Sequence, residues 1–107
     1  MREVMVQVMD AYCASVGTPP EALPGLIRGK LGEGWVGDEA LAIGLFAAYR
    51  APDIGSSLRV AANHGGDSDS TASIAGQISG AALGSPVPWG EGLDCWEELL
   101  ELASRLA

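Results

Sequence analysis

An eight-residue segment holds the side chains of this 107-residue chain that are best suited to chemistry, His-Gly-Gly-Asp-Ser-Asp-Ser-Thr at residues 64–71. Its two carboxylates, Asp67 and Asp69, stand two positions apart, and hydroxyl-bearing residues follow each of them. Carboxylate and hydroxyl oxygens are the ligands that hard cations such as Mg²⁺ and Mn²⁺ prefer. The segment also precedes a predicted helix, whose free N–H groups attract anions such as phosphate. The residue types therefore indicate a candidate metal or phosphate site.

The same pattern has a purely structural interpretation. Asp and Ser at a helix start are ordinary caps, and their charge or dipole complements the helix dipole. Two aspartates at this spacing are a weak signal, and spacing alone favours the capping interpretation. His64 is open to two interpretations as well. It could contact a ligand, but a lone histidine at a helix end more often caps that end or complements its dipole.

Helical periodicity dominates the segments that must position this site. Apolar residues recur at helical spacing over residues 2–16, 26–31, 38–51, 53–62, 69–83 and 94–106. We expect a break at Pro24-Gly25, and we expect Asp38 and Asp53 to be helix N-caps. Alternation typical of a strand is too short everywhere for a strand to be predicted. The sequence predicts an all-α fold of five or six helices, in one domain that spans residues 1–107.

Two of the predicted helices carry further packing signals. The helix over residues 69–83 places Gly76, Gly80 and then Gly84 in one row, so we expect it to be central and closely packed. The last helix is amphipathic, and we expect its apolar face to point inward, with Trp96, Leu99, Leu100, Ala103 and Leu106. Trp35 and Trp89 lie in predicted loops, where packing between helices is a more frequent role than lining a pocket.

Charge and composition exclude several classes of protein. The chain has 6 basic and 14 acidic residues, a net charge of -8, which argues against nucleic-acid partners and anionic membrane surfaces. We find no apolar stretch long enough for a transmembrane helix and no secretory signal pattern. Two cysteines far apart in the sequence do not form a disulfide framework. We therefore expect a cytoplasmic protein with reduced thiols.

The candidate site segment also resembles a known family. Residues 65–72 (GGDSDSTA), with Ile74-Ala75-Gly76 and residues 80–84 (GAALG), closely resemble the C-terminal signature of the ADP-ribosylglycohydrolases. Residues 32–42 (GEGWVGDEALA) are similar to the family's segment before a core helix, and the two motifs occur in the family's order. The resemblance covers roughly residues 20–107. It implies the C-terminal part of an all-helical, metal-dependent enzyme that hydrolyses the glycosidic bond of ADP-ribosylated substrates.

The resemblance also implies roles for individual residues. On the positions that match, Asp67, Asp69 and Ser70 would be metal ligands of a Mg²⁺ or Mn²⁺ pair. Gly65 and Gly66 would let the backbone pass close to ligand or metal, and His64 beside them could contact substrate. The resemblance gives no catalytic residue in this chain.

The chain departs from the family in its acidic residues. Family members carry further metal ligands in an N-terminal Thr-Asp-Asp motif, which this sequence lacks. Its adjacent acid pairs are Asp38-Glu39, where capping is at least as good an explanation, and Glu97-Glu98, which we expect to be solvated. We therefore expect about half of a dinuclear site, in a C-terminal portion that is truncated or encoded separately.

Two functional hypotheses follow from this partial ligand set. In the first, the chain is part of a hydrolase that is nearly inactive alone and completes its dinuclear site with the missing N-terminal part. In the second, it is a non-catalytic binding module that keeps the family's C-terminal helices and recognises ADP-ribose or an ADP-ribosylated partner. In both cases a bare helical face would remain, so we expect homo-oligomers or pairing with a complementing chain.

Overall fold

The computed structural model describes residues 2–84 and 89–106. These residues form six α-helices and two single 3₁₀ turns, at Pro20–Ala22 and Gly90–Gly92. The helices are α1 (Arg2–Ser15), α2 (Leu23–Lys30), α3 (Gly37–Arg50), α4 (Ile54–Ala62), α5 (Ser68–Leu83) and α6 (Trp96–Leu106). No strand occurs within the two described ranges. The predicted all-α fold is therefore confirmed, whereas residues 85–88, predicted as a loop, lie outside the described residues.

Local sequence signals explain the start of α4 and the end of α5. Asp53 caps α4 as predicted, because its Oδ1 accepts the backbone N–H of Ser56 at 2.7 Å. At the end of α5, Gly84 adopts the left-handed conformation (φ 60°) that favours glycine as a terminator. The predicted break at Pro24-Gly25 is wrong, because α2 contains both residues near its start, where proline is tolerated. The prediction for Asp38 is wrong as well. Helix α3 begins one residue earlier, at Gly37, so Asp38 lies in the first turn and Val36 is the N-cap.

Helix α3 is the centre of the fold and packs against α1, α4 and α5. The larger core cluster joins α1, α2 and α3, with Val8, Ile27, Ile43 and Phe46 among its fully buried members. A second cluster consists of alanines from α3, α4 and α5, which are Ala47, Ala61 and Ala75. The small side chains of this second cluster allow three helices to meet closely at the middle of α5.

Helix α5 packs closely, as predicted, but through a different row of residues. Its buried row is Thr71, Ala75 and Ser79, and a Cβ on Gly80 would meet no described atom within 4 Å. The closest approach to α5 is at Gly44 on α3, where a Cβ would collide with the side chain of Ile74; of the predicted row, Gly76 lies close to Leu58, whose Cδ2 would be 3.3 Å from a Cβ there. Adjacent residues of a helix point about 100° apart, so periodicity alone does not decide between two neighbouring rows.

Helix α6 contradicts the expectation of a buried apolar face. Leu99 and Leu106 are 47% and 79% exposed, and the remaining predicted inward residues Leu100 and Ala103 are exposed as well. Trp96 is partly buried, with its ring against Gly90 of the neighbouring 3₁₀ turn. An amphipathic pattern specifies that a helix has an apolar face, but it does not specify what covers that face.

The tryptophans, the cysteines and the helix lengths can also be compared with the sequence-based expectations. Trp35 is 68% exposed, so the expectation that it packs between helices is wrong, while Trp89 is about half exposed beside Gly55. Both Cys13 and Cys95 are free and exposed. Among the described helices, none has the length and apolar character that crossing a bilayer requires.

Candidate functional site

The predicted site residues lie on the turn between α4 and α5 and on the first turn of α5. Gly65 has a φ of 86°, a conformation that glycine adopts at little cost, and it allows the chain to reverse after α4. Asp67 is the N-cap of α5, a position whose side chain normally accepts an N–H from two or three residues ahead. Within the described part of the chain, the Asp67 side chain makes no such capping hydrogen bond. Its carboxylate instead hydrogen-bonds the side chain of Asp69.

The neighbouring carboxylate takes over part of the capping. Asp69 Oδ1 accepts the N–H of Ser70 at 2.9 Å. Hydrogen bonding with the Asp67 side chain lowers the pKa of Asp69 below its ordinary value, and the Ser70 N–H acts in the same direction. Asp69 and Ser70 are exposed, and Asp67 is partly buried. The first turn of α5 therefore presents an ionised carboxylate, a second carboxylate beside it and a hydroxyl to solvent.

These donors fit one part of a metal site. Carboxylate and hydroxyl oxygens are suitable ligands for Mg²⁺ or Mn²⁺, which take six ligands in near-octahedral geometry. Among the described residues, no cluster of three or more His, Cys, Asp or Glu side chains forms a metal site. Two carboxylates and one hydroxyl would thus leave positions on the ion for water, substrate or ligands from elsewhere.

A second loop, residues 32–36, lies directly against the candidate site. Asp67 donates its backbone N–H to the carbonyl oxygen of Glu33 at 2.8 Å. A Cβ on Gly66 would collide with the backbone of Glu33, and a Cβ on Gly34 would come within 2.8 Å of the Thr71 methyl group. The structure explains Gly66 by the close approach of two protein backbones. A substrate contact at Gly65 and Gly66 stays a prediction.

Glu39 on α3 holds this second loop in place. Its Oε1 accepts two backbone N–H groups of the loop, from Glu33 and Gly34, each at 3.2 Å. The Asp38-Glu39 pair therefore does not cap α3, whose N-cap is Val36; Glu39 instead accepts N–H groups of the loop before that helix.

A buried polar chain connects α4, the turn and α5. Gly66 donates its N–H to His64 Nδ1 at 3.2 Å, so this nitrogen is an acceptor and the proton lies on Nε2. His64 Nε2 is 2.8 Å from Thr71 Oγ1, and Oγ1 is 2.7 Å from the Ala61 carbonyl oxygen. We assign the directions accordingly: His64 donates to Thr71, and Thr71 donates to Ala61. Every member of the chain then has a partner, as buried polar groups require.

Comparison with known proteins tests whether the segments at residues 32–42 and 65–84 indicate the family that they resemble. A family model described as ADP-ribosylglycohydrolase matches residues 2–107. The chain belongs to the ADP-ribosylglycohydrolase family. The match covers nearly the whole chain and is not confined to the part after residue 20.

The other comparisons give no information about the function. An uncharacterized protein from Archaeoglobus fulgidus is 38% identical over 78 residues, which cover 72% of this chain and 26% of that protein. The aligned segment thus spans about a quarter of that relative's length. No solved structure matches the chain significantly.

Within this ADP-ribosylglycohydrolase domain, His64 is placed as an interior residue. Its side chain is 1% exposed and both ring nitrogens have protein partners. This placement favours a structural role, in which His64 stabilises the turn. The contact of His64 with substrate stays a prediction. Sequence reasoning named Thr71 only as part of the motif. One signal was available in the sequence. Thr71 stands four residues after the N-cap Asp67 and seven residues after His64, the single histidine.

The buried imidazole should make the stability of the domain depend on pH. Burial lowers the pKa of His64 below its ordinary value of 6.5, so the unfolded chain binds a proton that the folded chain resists. We expect the free energy of unfolding to fall as the pH drops below 6.5 toward the folded-state pKa, and to be level above it. His64 is the single histidine in the sequence. Urea titrations at pH 7.5 and 5.5 check this, with His64→Gln as the variant whose stability should change less between them.

Proposed function

We propose that this chain carries the metal-binding loop of a metal-dependent ADP-ribosylglycohydrolase, which hydrolyses the glycosidic bond of ADP-ribosylated substrates. The observation that carries the proposal is the Asp67 carboxylate, which leaves capping to others and stands beside Asp69 and Ser70 on an exposed helix start. Family membership supports the reaction class. The two free cysteines support a reducing, cytoplasmic setting.

The chain's own residues have a defined task in this reaction. Asp67, Asp69 and Ser70 would hold Mg²⁺ or Mn²⁺ at the start of α5. The contacts of the turn with Glu33 and Gly34 would keep the two carboxylates together. When bound, the metal pair would orient ribose hydroxyls and a water molecule and stabilise charge near the breaking bond. Two carboxylates and one hydroxyl are too few for two ions. We expect further carboxylate ligands to come from another part of the protein or from a partner chain, and we therefore expect the chain alone to release little ADP-ribose.

Metal binding by the purified chain tests this proposal directly. We expect Mn²⁺, followed by the loss of its free-ion electron paramagnetic resonance signal, to bind weakly at a single site. Asp69→Asn removes a ligand charge while keeping the side-chain shape, so we expect the affinity to fall about tenfold or more. Glu97→Gln, which removes one exposed carboxylate on α6, is the matched control and should bind as the parent chain does.

Two results would count against the proposal. Mn²⁺ that stays free at millimolar concentration would refute the metal site. Efficient release of ADP-ribose from ADP-ribosyl-arginine by the chain alone would refute the incomplete ligand set.

A second candidate function rests on the exposed apolar face of α6. Leu99, Leu100 and Leu106 are about half exposed or more, and such a continuous apolar surface is typical of an interaction site. In this candidate function the domain is a non-catalytic module that pairs with itself through α6. Light scattering over a wide concentration range should then show dimers, and Leu100→Glu should shift them to monomers. Glu98→Gln on the polar face should leave the dimers unchanged, and a monomeric parent chain at all concentrations would contradict self-pairing.

A further inference from the structure

Glu39 lies on the first turn of α3, outside the proposed ligand set, yet it is hydrogen-bonded to the loop that contacts Asp67. The connection has two steps. Glu39 Oε1 accepts the N–H groups of Glu33 and Gly34, each at 3.2 Å. The carbonyl of the same Glu33 then accepts the N–H of Asp67 at 2.8 Å. A single carboxylate is therefore two hydrogen bonds away from the backbone of a proposed ligand.

The geometry of the loop shows that it is built around this carboxylate. Gly32 and Gly34 both have positive φ angles, 97° and 87°, so the loop turns its N–H groups inward toward one point. A Cβ on Gly32 would come within 2.5 Å of the Glu39 carboxyl carbon. Backbone N–H groups need acceptors, and for Glu33 and Gly34 the acceptor is the Glu39 carboxylate of α3.

The backbone of Asp67 is sensitive to the position of Glu33. Asp67 has φ −74° and ψ 76°, which is not the extended conformation usual for an N-cap. Two contacts surround it: the hydrogen bond from its N–H to Glu33, and Gly34, whose Cβ position is 3.7 Å from the Asp67 Cβ. A shift of the loop would free Asp67 to relax into the ordinary capping conformation and to turn its carboxylate toward the N–H groups of α5.

We propose that Glu39 is a positioning residue for the metal-binding loop. It fixes residues 32–34, and through the Glu33 carbonyl it keeps the Asp67 carboxylate away from capping and beside Asp69. This inference rests on the proposed function, because it gives the arrangement of Asp67 and Asp69 its purpose. Glu39 itself does not touch the ion.

Three substitutions at Glu39 separate hydrogen-bond acceptance from charge and reach. Glu39→Gln keeps an acceptor oxygen at the same distance, Glu39→Asp keeps the charge but is one methylene shorter, and Glu39→Ala removes both. We expect Mn²⁺ affinity to fall about tenfold in Glu39→Ala and Glu39→Asp, and to stay within about twofold in Glu39→Gln. Asp38→Ala removes the same charge one residue away, on an exposed side chain, and should also stay within about twofold.

Amide hydrogen exchange gives a readout that does not involve the metal. In Glu39→Ala and Glu39→Asp, without metal and well below the melting temperature, the Asp67 amide should exchange about tenfold faster. Its rate in Asp38→Ala should equal that of the parent chain. Glu39→Asp decides the outcome where the alanine variant does not fold.

The possible outcomes distinguish this inference from the proposed function. Failure of the parent chain to bind Mn²⁺ would refute the proposed function and with it the purpose assigned to Glu39, whatever the exchange rates. Binding by the parent chain, combined with unchanged affinity or unchanged Asp67 exchange in Glu39→Asp, would refute the inference alone. Equal weakening by Asp38→Ala would also refute it, because the effect would then be one of charge.

Discussion

Gly66→Ala is expected to lower the free energy of unfolding by roughly 3 kcal/mol and to abolish Mn²⁺ binding. The new Cβ would overlap the backbone of Glu33, which has no flexible end that can move aside. The two loops must then separate, and the hydrogen bond from Asp67 to Glu33 is lost with the contact. Overpacking typically costs 1–3 kcal/mol, and a lost hydrogen bond adds about 1 kcal/mol. Urea denaturation and Mn²⁺ titration of the same preparation measure both effects.

Gly80→Ala is the matched control for this substitution. Gly80 lies inside α5, and a Cβ there would meet no described atom within 4 Å. Alanine in a helix interior is more favourable than glycine, so we expect the stability to rise by about 0.5–1 kcal/mol. A Gly66→Ala variant that is as stable as the parent chain would show that the two loops do not meet as described.

Thr71→Val is expected to destabilise the domain by about 3 kcal/mol although it hardly changes the side-chain shape. The Thr71 hydroxyl lies between His64 Nε2 at 2.8 Å and the Ala61 carbonyl oxygen at 2.7 Å, and all of this is buried. Valine would leave the imidazole N–H and the carbonyl without this partner in the interior. Leaving a buried donor or acceptor unsatisfied costs about 1–3 kcal/mol for each group. The same urea denaturation measures the loss.

Thr71→Ser separates the hydroxyl from the methyl group. Serine keeps the hydrogen bonds and loses only the methyl group that lies against Gly34, so we expect a loss of about 1 kcal/mol. The His64 Nε2–H resonance should remain slow to exchange in Thr71→Ser and disappear in Thr71→Val. If valine is tolerated better than serine, the methyl contact contributes more to stability than the hydrogen bonds of the hydroxyl.

Sequence reasoning found the architecture and the place of the site. The all-α fold, the cap at Asp53 and the family follow from short-range signals. These signals are helical periodicity, capping residues and the amino-acid sequences of two loops. It also placed Asp67 and Asp69 at a helix start, where the structure has them. These properties depend on residues that are close together in the chain, so local physics determines them.

Errors arose where distant parts of the chain meet. The sequence suggested the glycine row of α5 as its packing surface, whereas the structure buries Thr71, Ala75 and Ser79 and uses Gly44 of α3 for close approach. It also predicted that the apolar face of α6 points inward, and that face is exposed. Both choices depend on which neighbouring element is present, which periodicity within one helix does not encode.

By itself the sequence determined an acidic, all-α member of the ADP-ribosylglycohydrolase family with two aspartates and a serine at the start of one helix. Only the tertiary structure decided what holds those aspartates. Glu33 and Gly34 approach the turn from about thirty positions away along the chain, and Glu39 is hydrogen-bonded to both of them. Hydrogen bonds across such a separation exist only after the helices have packed, because packing brings the donor and acceptor together and excludes the water that would otherwise satisfy them.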